Sequence, residues 1–197
     1  LRNAPGRLGE YLGLTGTRMR GEDAIYAGFA DLYIHRRRLG DLKQALVEAG
    51  DISTLQHFAE APPPSELALR QQDVDRVFSA ATLPAILDRL RGDGSEWALK
   101  SLDAIERGSP LSALMILSVI RDAGSIETAL RNEYRFVSRV LEHGDFLEGI
   151  RAIVIDKDRK PVWRHRSIAE VPDDLVALMH REAEGGDLDL LNWEDQP

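Results

Sequence analysis

The chain has 197 residues, with 25 Lys and Arg against 33 Asp and Glu and a formal net charge of −8. So acidic a chain lacks the phosphate-backbone footprint of a nucleic-acid binder, and its 43% hydrophobic content is too high for a disordered one. The absence of cysteine excludes disulfide scaffolds, thiolate metal sites and Cys nucleophiles, and no apolar run approaches the roughly 20 residues that span a bilayer.

The length suits one domain or part of a larger one, and the opening Leu1-Arg2-Asn3-Ala4-Pro5-Gly6 reads like the middle of a protein. Helical periodicity dominates. A first helix is predicted over 5–15, with Pro5 in its first turn, Leu8, Tyr11 and Leu12 on one face, and Gly16 as a left-handed stop. A second covers 22–27 and ends at Gly28, and residues 30–34 have the β-branched and aromatic content of a short strand. Leu39, Leu42 and Leu46 mark a helix over 39–49 closed by Gly50. Pro62, Pro63 and Pro64 cannot continue a helix, so 59–64 reads as a linker. Short helices are expected over 73–81 and 83–90, the second capped by Thr82, with a turn at 92–94. Ser95 caps a helix carrying Trp97, Leu102 and Ile105 and stopped by Gly108, and Ser109-Pro110 opens the next. A longer helix covers 126–142. Asp145 followed by Glu148 is a capping-box pattern for a helix through 155, and 156–161 is a charged turn. The last clear helix starts at Ser167 or Asp173 and reaches 183. An acidic tail with Leu188, Leu190, Leu191 and Trp193 follows Gly185-Gly186. The expected fold class is mostly α with one or two short strands.

Local chemistry supplies no catalytic constellation. His35, His57, His143, His165 and His180 include no pair three or four residues apart, so a helical metal-ligand pair is absent and no metal site is expected. His35-Arg36-Arg37-Arg38 suits a phosphate by its guanidinium forks, but a solvated helix start is the favoured reading. Trp97 and Trp163 are expected to anchor helix packing rather than stack a base. Gly6, Gly9, Gly13 and Gly16 lack the Lys-Ser/Thr and preceding strand of a phosphate loop, and no G-x-S-x-G elbow occurs.

Pro5-Gly6-Arg7-Leu8-Gly9-Glu10-Tyr11-Leu12-Gly13-Leu14-Thr15-Gly16, continuing through Arg20-Gly21-Glu22-Asp23-Ala24 to Ala27-Gly28-Phe29-Ala30-Asp31, resembles the enoyl-CoA hydratase/isomerase (crotonase) superfamily. A second block is similar to its 3-hydroxyisobutyryl-CoA hydrolase branch: Glu133-Tyr134-Arg135, Asp145-Phe146-Leu147-Glu148-Gly149-Ile150-Arg151-Ala152, Ile155-Asp156-Lys157-Asp158 and Pro161-Val162-Trp163. Generic hydratases carry Ala-Phe-Leu-Glu-Lys-Arg where this chain has 152–158, and added helices between about 50 and 109 also fit the longer hydrolases. One departure is Leu32, where many relatives have His.

The resemblance implies the C-terminal portion of a crotonase ββα spiral with a helical lid: the last of the core over 1–50, an inserted helical segment over 51–108, and a C-terminal helical region with acidic tail over 109–197. It implies a CoA-thioester hydrolase of valine catabolism, with acyl-CoA as substrate and no metal or redox cofactor. Its carboxylates and oxyanion-hole donors are expected upstream of Leu1, so no catalytic residue is expected in this chain and the chain alone is expected to be inactive. Phe146 and the 150–154 face, with Ile150 foremost, are expected to line the acyl end of the pocket, and Lys157, Arg159 and Lys160 to meet CoA phosphates. The expected partner is the N-terminal half of the same enzyme, carried as a separate chain, with homo-oligomerisation left open and neither nucleic acid nor membrane involved. The implied location is the cytoplasm, or the mitochondrial matrix in a eukaryote. An enoyl-CoA hydratase or isomerase, and a non-catalytic helical interaction module, are the alternatives.

Overall fold

A computed structural model describes residues 1–190 and is mostly α-helical. Among the described residues ten α-helices run in order: α1 Leu8–Thr15, α2 Gly21–Tyr26, α3 Leu39–Ala49, α4 Glu66–Phe78, α5 Leu83–Asp93, α6 Glu96–Glu106, α7 Pro110–Asp122, α8 Ile126–Arg139, α9 Phe146–Ile150 and α10 Asp173–His180. A wider π turn, Arg151–Ile155, continues α9. Among the described residues no helix is long and apolar enough to cross a membrane.

Local chemistry accounts for most boundaries. The Ser or Thr side chains of Thr82, Ser95 and Ser109 each accept the N–H three residues on, which starts α5, α6 and α7 where the sequence places them. Gly16 and Gly50 close α1 and α3 in the left-handed conformation. Several expectations are corrected. Pro5 lies outside α1, because residues 5–7 are tied sideways to α4: the Arg7 N–H donates to Asp75 Oδ1 at 2.7 Å and Gln71 Nε2 to the Pro5 carbonyl at 3.2 Å. The helix expected from 73 begins at Glu66. Ser65, directly after the proline run, caps it by accepting from the Ala68 N–H at 3.1 Å. The turn expected at 92–94 is shorter, since Gly92 and Asp93 still belong to α5. The helices expected to reach 142 and 183 end at Arg139 and His180.

The stretch 30–34 forms no strand; Tyr33 makes one antiparallel bridge to Glu60, whose N–H donates to the Tyr33 carbonyl at 2.9 Å. A lone bridge has no second rung, so β-rich composition goes unused. Arg38 holds the returning segment instead. It donates to the carbonyls of His57 and Phe58, both at 3.2 Å, pairs with Glu60 at 3.4 Å, and lies 4.7 Å from the centroid of the Phe58 ring.

The main core is built by α1, α4, α5, α6 and α7 around Leu8, Val74, Phe78, Ile86 and Leu90, all fully buried. Tyr11 meets Phe78 edge-on at 5.5 Å, and Trp97 packs at 5.7 Å while donating Nε1–H to the Tyr11 hydroxyl at 3.3 Å. Trp97 thus anchors packing, whereas Trp163 is half-buried outside both cores and donates Nε1–H to the Arg107 carbonyl at 2.9 Å. A smaller core joins α7 to α10 through Leu111, Met115, Val171 and Met179.

Two linkages carry this frame. Asp23 of α2 is buried and accepts from Ser65 Oγ at 2.7 Å and from the N–H groups of Arg20 and Leu67, both at 3.2 Å. Burial pushes its carboxyl up, but these hydrogen bonds outweigh it and hold the group below the usual carboxylate range. Gly9 and Gly13 permit close contact: a Cβ at Gly9 would sit 2.1 Å from the Leu1 carbonyl oxygen, and one at Gly13 would sit 2.7 Å from Ile120 Cδ1. Gly9 and Gly13 therefore serve close packing, and Gly16 the left-handed end of α1.

Candidate functional site

The C-terminal helices present an apolar face that nothing in the described residues covers. On α8 and the turn after it, Ile126, Leu130, Tyr134, Val137 and Leu141 are exposed, and their spacing of three and four residues places them on one stripe. The opposite side of α8 packs on α7 and α10 through Phe136. Beside the stripe lies an apolar groove of about 460 Å³, lined by Leu1, Gly13, Met115, Ile116, Val119 and Phe136 among others. Its only carboxylate among the described residues, Glu133, also lines an adjoining hollow of about 410 Å³ next to Leu1 and Phe29. An uncovered stripe of large side chains on a stable helix is an interface signal rather than ordinary surface.

The second part of the site begins at α9. The Asp145 and Glu148 pattern does not form a capping box. Asp145 is buried and accepts from Ser109 Oγ at 2.5 Å and from the Arg164 N–H at 2.9 Å, joining the starts of α7 and α9 to the returning chain. Glu148 turns the other way, accepting both Nε and Nη2 of Arg151 at 2.9 and 2.8 Å, and the Val162 N–H at 2.6 Å. A box needs both side chains turned back to the helix start, and each has a stronger partner elsewhere.

Arg151 is the hub that sequence reasoning overlooked. Besides Glu148 it donates from Nη1 to Asp156 at 2.6 Å and Asp158 at 2.8 Å, and from Nη2 to the Lys160 carbonyl at 3.1 Å. The guanidinium of Arg151, with the Val162 N–H, holds the Glu148 carboxyl down at about 2. Asp158 is likewise lowered, by Arg151 first and the Lys160 N–H second. The three acids raise Arg151 in return, so it stays charged. The signal was present as acids three, five and seven residues from one arginine within 148–158.

The five residues singled out from sequence fall as follows. Phe146 is 51% exposed and Ile150 is half-buried. The π turn breaks the continuous face expected over 150–154: Ala152 is buried, whereas Ile153 and Val154 are exposed. Lys157, Arg159 and Lys160 are all exposed and, among the described residues, make no ion pair within 4 Å. The Arg159 N–H bonds the Ala152 carbonyl at 3.0 Å, so the cationic turn folds back on the π turn that follows Phe146 and Ile150. Apolar side chains and uncommitted cations thus share one short segment. The described residues contain no group of three or more His, Asp or Glu able to hold a metal. In the tail, Leu188 and Leu190 are without helix, and Leu191 and Trp193 lie outside the described residues.

The enoyl-CoA hydratase/isomerase profile matches residues 1–179. The chain is 32% identical to the mitochondrial 3-hydroxyisobutyryl-CoA hydrolase of Xenopus tropicalis, over 94% of this chain and 52% of that protein. It is 33% identical to a probable 3-hydroxyisobutyryl-CoA hydrolase of Arabidopsis thaliana, over 99% of this chain and 55% of that protein. Among solved structures, an enoyl-CoA hydratase from Rhodobacter sphaeroides superposes with a TM-score of 0.88 at 40% identity, covering 96% of this chain and 56% of that one. A carnitinyl-CoA dehydratase from Mycobacterium thermoresistibile gives 0.87 at 32% identity, over 94% and 54%. The chain thus spans about half the length of the relatives it matches. With the fold and the sequence blocks agreeing over nearly its whole length, the chain belongs to the enoyl-CoA hydratase/isomerase family.

Proposed function

We propose that this chain is the C-terminal part of an acyl-CoA thioester hydrolase acting on 3-hydroxyisobutyryl-CoA, in the cytoplasm or, in a eukaryote, the mitochondrial matrix. The observation that carries the reading is the pairing, on one segment, of an apolar wall at Phe146 and Ile150 with the exposed cations Lys157, Arg159 and Lys160. An acyl-CoA has the same division, with a short apolar acyl end and an anionic nucleotide end. Identity to 3-hydroxyisobutyryl-CoA hydrolases across nearly the whole chain supports the choice within the family.

Hydrolysis of a thioester breaks the C–S bond. A hydroxyl from water ends on the acyl carbon, and the water's remaining proton ends on the departing sulfur. The step needs a carboxylate as base or nucleophile, and fixed donors where the oxyanion forms. In this reading both belong to the N-terminal half of the fold, which covers the α8 stripe as a separate chain, and no metal or redox cofactor takes part. The chain alone is then inactive.

The test mixes this chain with the N-terminal half of the family fold and follows free thiol from 3-hydroxyisobutyryl-CoA. Thiol release only after recombination is expected. The enoyl-CoA hydratase likeness at 40% identity supports a second reading, hydration of crotonyl-CoA. Loss of the crotonyl double bond without any thiol would sink the hydrolase reading in its favour.

A further inference from the structure

Lys157 and Arg159 both lie in the left-handed region, at φ 57° and 56°. Neither has glycine's freedom, and backbone held there in non-glycine residues must be fixed by its surroundings. Two sets of bonds surround them: the Arg159 N–H to the Ala152 carbonyl at 3.0 Å, and the side chain of Arg151. Arg151 ties together Glu148, Asp156, Asp158 and the Lys160 carbonyl, while Asp158 also accepts the Lys160 N–H at 2.8 Å. Every acid between 148 and 160 is therefore engaged by one guanidinium, and the three remaining cations stay exposed without an ion pair within 4 Å among the described residues, although Lys160 still helps to lower Asp158. Without Arg151, Asp156 and Asp158 would be the nearest counterions for Lys157, Arg159 and Lys160 and would repel any anion approaching them.

We propose that Arg151 is a positioning residue: it sequesters the local carboxylates and sets the turn, so that Lys157, Arg159 and Lys160 are free to receive the nucleotide phosphates of coenzyme A. Arg151 itself does not touch the ligand. The inference rests on the acyl-CoA ligand proposed above, but it is tested by binding and not by turnover, so its outcome is separate from that of the thiol assay. A lysine cannot replace this residue, because a single ammonium lacks the planar fork that bridges three carboxylates.

The experiment titrates coenzyme A, and pantetheine as a probe without the nucleotide, into the intact enzyme and into Arg151→Met and Arg151→Lys, with melting temperatures recorded alongside. The expected result is a tenfold or larger loss of coenzyme A affinity in Arg151→Met, a smaller loss in Arg151→Lys, and pantetheine affinity within twofold for both. Adding Asp156→Asn and Asp158→Asn to Arg151→Met is expected to recover several-fold of the lost affinity, a response that a merely structural arginine would not give. Coenzyme A affinity unchanged in both variants, or both ligands weakened alike in the stably folded Arg151→Lys, overturns the assignment.

Discussion

Arg121 of α7 and Glu10 of α1 form a partly buried ion pair, Nε to Oε1 at 3.0 Å, in which Glu10 is almost fully shielded from solvent. Arg7 pairs with the same Glu10 oxygen at 2.9 Å. Arg121 also donates to the carbonyls of Phe78, Ala80 and Ala81 at 3.0, 2.8 and 2.6 Å, satisfying the backbone where α4 ends. One side chain thus joins α1, α4 and α7, and α1 and α7 both line the groove beside Leu1.

Removing one member of such a pair leaves a desolvated charge without compensation, which costs about 3 kcal/mol or more. Here Arg7 still pairs with Glu10, so Arg121→Met is expected to lower stability by about 1–3 kcal/mol, chiefly because three carbonyls lose their donor. Glu10→Gln is expected to cost less, since Arg121 keeps its carbonyl partners. Urea denaturation measures both, and a smaller loss for Arg121→Met than for Glu10→Gln would contradict the assigned role.

Two glycines separate steric demand from helix propensity. Alanine inside a helix is favoured over glycine by about 1 kcal/mol. Gly92, near the end of α5, has open space where a Cβ would go, so Gly92→Ala is expected to stabilise by a good part of that amount. At Gly9 the same change drives a methyl to 2.1 Å from the Leu1 backbone oxygen, and Gly9→Ala is expected to destabilise instead. Thermal unfolding of the two variants should move in opposite directions.

Helix existence and most starts were legible because they depend on neighbours in sequence. Thr82, Ser95 and Ser109 cap the N–H three residues away, and a sequence shows that spacing directly. What could not be read depends on distant partners. Asp145 and Glu148 fit a capping box by spacing, yet Asp145 is claimed by Ser109 and Arg164, 36 and 19 residues away. Residues 30–34 have strand composition but meet only Glu60. The start of α4 is local too: Ser65, directly after the prolines, accepts from the Ala68 N–H. The candidate cations were singled out through the family resemblance, whereas Arg151 looked like one more charged helix residue.

The Glu148 carboxyl is held at about 2, below its ordinary 4.5, by Arg151 first and the Val162 N–H second. A depressed acid favours the folded arrangement above its unfolded value and loses that contribution as pH falls through the folded one. The Arg151 turn is therefore expected to persist from neutral pH to about 4.5 and to loosen between there and about 2. Carboxyl carbon shifts of Glu148 should titrate with a midpoint near the lower figure and return towards the higher one in Arg151→Met. An unperturbed midpoint in the native protein would show that the fork seen here does not form in solution.

Replacing Lys157, Arg159 and Lys160 together by Ala is expected to raise KM for the acyl-CoA about tenfold or more while leaving kcat within about twofold, by analogy with 1–2 kcal/mol for charge-assisted contacts to an anion. The three side chains are exposed, so the fold should not suffer. Their contribution should fall with added salt as screening shortens their reach. Steady-state kinetics at two ionic strengths check both points, and unchanged KM at low salt would remove the phosphate role from this turn.

The α8 stripe separates folding from assembly. Val137 is 60% exposed, so Val137→Asp removes little buried area within the chain and is expected to change its own melting only slightly. Against the N-terminal half, the same carboxylate would be forced into an apolar contact, where an unpaired charge is poorly tolerated. Recombination is therefore expected to weaken by at least about tenfold, roughly 1.4 kcal/mol, and thiol release to fall in proportion to complex formed. A surface charge exchanged elsewhere, such as Lys100→Glu on α6, should leave recombination unchanged. If Val137→Asp recombines like the native chain, the stripe is not the covered face, and the N-terminal half must meet this chain somewhere else.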